Sequence, residues 1–109
     1  MATSSQTQRS AALALTQLLV EHPELPAASW RVDRDGLLSG TVAIHADGAE
    51  LESAMRAYAK VLGGSVHEQH FTSPQHGRSV SVSLYTRWRD VQVNVWGTCT
   101  AGAGSAVAA

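Results

Sequence analysis

The chain has 109 residues, 44% of them hydrophobic and 16% charged, and its eight basic and nine acidic side chains leave a formal net charge of −1. That length suits one domain with a modest buried core, and the near-cancelling charge argues against a general nucleic-acid or anionic-membrane binder, which needs a clustered positive field. Cys99 is the single cysteine, so no internal disulfide can form and no oxidising compartment is needed.

Residues 1–8 are polar and lack the basic-then-apolar order of a secretory signal. They read as a flexible N-terminus ahead of one α+β domain at 9–100. The longest apolar stretch, residues 11–20, is too short and interrupted to span a bilayer, so the expected location is cytoplasmic. The spacing predicts a helix over 9–21. Ala11, Leu15, Leu18, Leu19 and His22 fall on one face, Leu13 and Val20 widen it, and Pro23 and Pro26 stop it.

Residues 30–32 and 38–44 read as two strands of a hairpin. A three-residue loop, Arg34-Asp35-Gly36, puts Trp30, Val32, Leu38, Val42 and Ile44 on one face, with Gly36 as its left-handed residue. Gly40, opposite Trp30, leaves a gap that the indole can cover. Asp47 and Glu50 mark a helix start. Leu51, Ala54, Met55, Tyr58, Ala59 and Leu62 then form one apolar stripe, ended by Gly63-Gly64.

Residues 66–72 read as a weaker strand, followed by a loop at 73–77. From Arg78 to Thr100 the pattern is period two twice over. Val80, Val82 and Leu84 alternate with serines, and Val91, Val93 and Val95 alternate with Gln92, Asn94 and Trp96. Pairing Thr86 with Val91 makes the loop Arg87-Trp88-Arg89-Asp90, with Trp88-Arg89 as its tightest form. Residues 101–109, nearly all small, read as a flexible tail. The order α-β-β-α-β-β-β predicts a mainly antiparallel sheet with both helices on one face.

No catalytic motif or nucleotide loop is present in this sequence, and no catalytic residue, metal ligand or cofactor is assigned. Of the five histidines, His67 and His70 are the nearest pair, but on a strand residues three apart face opposite ways. His22, His45 and His76 stand apart from them in sequence. Cys99 lacks a motif that frames a nucleophile and reads as an idle or semi-buried thiol. The expected binding residues are Arg87, Trp88 and Arg89 at the hairpin tip, with Tyr85 and Trp96 on the face opposite the valines. The alternative for Trp88 is local packing on the sheet edge. The outer sheet face, rich in Ser, Gln and Asn rather than Lys and Glu, is suited to burial against a partner, a second copy included.

The segments HPELP, LSGTV and RWRDVQVNVW, with a Trp-containing strand between the first two, resemble small uncharacterised proteins of high-GC actinobacteria and their phages or mobile elements, over roughly residues 10–98. The resemblance implies no activity and carries over no site residue. The expectation is a small accessory or regulatory protein that acts by binding another protein rather than by chemistry. The alternatives are a nucleic-acid binder using the Arg87-Trp88-Arg89 tip and a small enzyme with a site between sheet and helices.

Overall fold

The first apolar stretch becomes helix α1 (Ser4–Glu21) in the computed structural model, which describes residues 4–75 and 77–100. It starts five residues ahead of Arg9, because the turn carrying Thr7 packs against the first hairpin: a Cβ built on Gly36 would lie 2.9 Å from the Thr7 Cβ. Ala11, Ala14 and Leu18 are buried, and Leu15 is half-buried against them. The expected broader face is narrower in the structure. Leu13, Leu19 and Val20 are 58%, 50% and 73% exposed. The small Ala11 and Ala14 let this side approach the sheet closely, so Leu13 and Val20, on the far side of the cylinder, meet no second layer.

Strands β1 (Ser29–Val32) and β2 (Leu38–Ala46) form the first hairpin, with Trp30 opposite Gly40 and Val32 opposite Leu38. The loop closes as expected: Asp33 N–H donates to the Leu37 carbonyl at 2.9 Å, Gly36 N–H donates to the Asp33 carbonyl at 3.0 Å, and Gly36 has φ 87°. The Trp30 ring lies over Gly40 so closely that a Cβ there would sit 2.7 Å from it. The side chains of Ile44 and His45 lie outside the described part of the molecule, as do His76, residues 1–3 of the N-terminus expected to be flexible over 1–8, and the expected flexible tail at 101–109; residues 4–8 of that N-terminus belong to α1.

Helix α2 (Gly48–Leu62) buries Leu51, Met55, Tyr58 and Leu62, the expected stripe. Asp47 caps its start, its Oδ1 accepting from Ala49 N–H at 2.7 Å, and Gly63 N–H returns to the Ala59 carbonyl at its end. The helix crosses over to β3 (Ser65–Ser73), and two tight reversals then lay down β4 (Gly77–Trp88) and β5 (Val91–Thr100).

The five strands form one sheet in the order β1-β2-β5-β4-β3. Only β2 and β5 run parallel. The α2 crossover skips two strand positions, and β4 and β5 fill them on the way back. Both helices lie on one face, over Leu38, Val80, Val82, Leu84, Val91, Val93, Val95 and Cys99.

One register differs from expectation. Trp88, not Thr86, pairs with Val91, so Thr86 faces Val93, Leu84 faces Val95 and Val82 faces Gly97. A shift of two residues leaves every side chain on its original face, so the apolar alternation cannot distinguish the two pairings. The turn is the dipeptide Arg89-Asp90, one residue later than the tightest loop expected, with φ 52° and 63°. These are the positive values of a type I′ reversal, without the glycine that would signal it.

Candidate binding surface

Helices cover one face of the sheet, and among the described residues no second layer covers the other. The register places on that second face Arg31 of β1, Ser39 and Thr41 of β2, Gln92, Asn94, Trp96 and Thr98 of β5, Ser79, Ser81, Ser83, Tyr85 and Arg87 of β4, and His67, Gln69 and Phe71 of β3. One row across the sheet reads Ser29, Thr41, Trp96, Ser83, His67; the next reads Arg31, Ser39, Asn94, Tyr85, Ser65. Tyr85 is 57% exposed and Phe71 40%, while Trp96 is half-buried among its strand neighbours. The His67 and Tyr85 rings stand 6.5 Å apart, tilted by 44°. Ser79, near the start of β4, and Thr98 of β5 are the buried polar residues of this face. Among the described residues of this face the charged side chains are Arg31 and Arg87, and no carboxylate is present.

The five residues expected to bind therefore divide. Tyr85, Trp96 and Arg87 belong to the open face. Trp88 and Arg89 do not. Trp88 follows Val82, Leu84 and Thr86 on the helix side and packs half-buried against the core. The Arg89 guanidinium lies over its ring, 4.3 Å from the centroid. The same guanidinium grips Glu21 of α1 with two bonds, Nη2 donating to Oε1 at 2.5 Å and Nη1 to Oε2 at 2.8 Å, and Nη1 also donates to Gln17 Oε1 at 2.8 Å. Arg89 holds the Glu21 carboxyl below the usual glutamate range, chiefly through this hydrogen bonding, and Glu21 raises Arg89 in return. The tip is thus a clip between the last hairpin and the first helix. Sequence spacing could not show this, since the partners are 68 residues apart.

Arg87 also borders a cleft of about 420 Å³ at the loop end of the sheet, lined by Thr7, Ser10, Asp33, Asp35 and Asp90 among others. A second, more apolar hollow of about 370 Å³ lies between the end of α1 and α2, lined by Leu19, His22, Pro23, Leu25, Trp30 and Tyr58 among others.

His67 and His70 point to opposite sides of β3, opposite Ser83 and Val80 respectively. Among the described residues no three His, Cys, Asp or Glu side chains stand close enough to hold a metal ion. Cys99 lies within β5 and is fully buried. Burial pushes its thiol up, and the charges of Glu68 and Asp47 add to the shift, so it stays protonated and a poor nucleophile. Among the described residues no helix is long and apolar enough to cross a membrane.

Two features of the surface were not expected from sequence: Phe71 and His67 extend the aromatic face onto β3. The signal was present in the period-two spacing of His67, Gln69 and Phe71, but it pointed to a face only once the register to β4 was known. Compared with known proteins, the chain matches no family model and no curated protein.

Proposed function

We propose that this protein is a small accessory or regulatory factor, of the kind carried by actinobacterial phages and mobile elements, that acts in the cytoplasm by binding another protein through the open face of its sheet. The observation that carries the reading is the chemistry of that face. It is without described carboxylates, supplied with Tyr85, Trp96, Phe71 and His67, and flanked by Arg31 and Arg87. Aromatic and arginine side chains are the groups that anchor protein interfaces, and a lightly charged sheet face has a small desolvation cost. The two arginines favour a partner whose own patch is rimmed by carboxylates.

A second reading rests on the same aromatics, since bases can stack on Tyr85, Trp96 and His67 beside the arginines. Two arginines and a net charge of −1 give it weak electrostatic support.

The test is affinity capture from a native host, with mass spectrometry, comparing the wild type with a Tyr85→Ala/Trp96→Ala double variant. Both should melt cooperatively, with Tyr85 contributing little to the core. The expected result is loss of a specific protein partner, by about 2 kcal/mol or more in measured affinity. An unchanged partner set would sink the face as the binding surface. Salt-sensitive retention on a single-stranded oligonucleotide, lost in the double variant, would favour the second reading.

A further inference from the structure

Among the described residues, the open face is not the only part of the sheet without a partner. Strand β3 is its edge, nine residues long, and it pairs with β4 without a bulge from Ser65 to Ser73. Its sequence, SVHEQHFTS, contains no lysine, proline or glycine, and residues 65–72 are all exposed. Edge strands are ordinarily blunted by lysine and other charged side chains, by proline or by bulges, because their free N–H and C=O groups template pairing with another chain, and β3 carries one carboxylate, Glu68.

We propose that β3 pairs antiparallel with β3 of a second copy of this chain, joining the two five-stranded sheets edge to edge about a two-fold axis. The inference is independent of the face reading, because it uses the rim of the sheet and leaves the open face free.

Symmetry and charge fix the register. A two-fold axis perpendicular to the sheet keeps the helices of both copies on one side. Successive side chains alternate faces, so such an axis must pass beside a residue that lies opposite its own copy. Centring on Gln69 engages the whole strand, and the sequence is then self-complementary. Glu68 lies opposite the partner's His70, His70 opposite the partner's Glu68, His67 opposite the partner's Phe71, and Val66 opposite the partner's Thr72. Centring on Glu68 would oppose two carboxylates, and centring on His70 would oppose two imidazoles. Centring on His67 or Phe71 would shorten the ladder. Within one chain Glu68 and His70 already share a side of the strand, with Oε2 and Nε2 3.8 Å apart and both side chains well exposed. Pairing about Gln69 closes these into a ring of four groups in which acid and imidazole alternate.

The experiment combines sedimentation of the full chain with register-specific cross-linking. Directly opposed residues in an antiparallel ladder have Cα atoms about 4.5–5.5 Å apart, within disulfide reach. Gln69→Cys should therefore give a covalent dimer on mild oxidation. Phe71→Cys should not, since its copies would stand about 13 Å apart along the strands, but a mixture of His67→Cys and Phe71→Cys chains should cross-link to each other. Buried Cys99 does not compete. His70→Glu should weaken the dimer about tenfold or more by opposing carboxylates, and adding Glu68→His should restore it. Circular dichroism of each variant should show the wild-type fold. A wild type that sediments as a monomer up to about 0.5 mM would overturn the proposal. So would a dimer that Gln69→Cys fails to trap, or a charge swap that fails to restore association.

Discussion

Tyr58 illustrates how a polar group is accommodated in this core. Its ring is almost fully buried and stands edge-on to Trp30, centroids 6.0 Å apart, while its hydroxyl donates to the Pro26 carbonyl in the loop after α1. Burial pushes the phenol up, so it remains a neutral donor throughout the physiological range. One atom thereby ties α2 to the loop after α1. Tyr58→Phe keeps the packing and removes the donor, so a loss of about 1 kcal/mol is expected. Urea unfolding with an unchanged slope measures it, and a variant as stable as the wild type would mean that the Pro26 carbonyl finds water instead.

At the scale of the element, the β4–β5 reversal is the strained one. Arg89 and Asp90 both hold positive φ without being glycine, a conformation that Asp tolerates and Arg adopts rarely. The contacts of Arg89 with Trp88, Gln17 and Glu21 hold the turn in place. Asp90→Gly relieves strain without touching those contacts, and a gain of about 1 kcal/mol is expected from denaturant midpoints. A loss would show that the Asp90 side chain contributes more to the loop end of the sheet than its backbone costs.

Across the whole molecule, the Glu21–Arg89 clip connects the first helix to the last hairpin, elements that share only part of the core. The folded state lowers the Glu21 pKa. Its contribution is therefore fully present above the ordinary glutamate range and is lost as pH falls through the lowered value. Glu21→Gln should melt below the wild type at neutral pH, and the difference should shrink to nothing in strong acid. Both groups are partly exposed, so added salt should also narrow the gap. A difference independent of pH would mean that the Glu21 carboxylate acts through packing and not through charge.

Local patterns determined much of this protein directly. The Leu51 to Leu62 stripe, the Asp47 cap, the Gly36 loop and the valine alternation each follow from interactions within a few residues, so each is written in consecutive sequence. They were enough for the element order and for which face of β4 and β5 is apolar. Three outcomes depended on distant parts of the chain. The two-residue slip between β4 and β5 preserves the alternation, and the positive-φ turn at Arg89-Asp90 that goes with the observed register is held by Gln17 and Glu21 of α1. The parallel neighbourhood of β2 and β5 arises because α2 carries the chain past two empty strand positions. The fate of Arg89 and Trp88 was settled by α1, since the side chains read as a free tip are held by Glu21 and the core. Charge and aromaticity are legible residue by residue, but whether a side chain is free to bind depends on what the fold brings beside it.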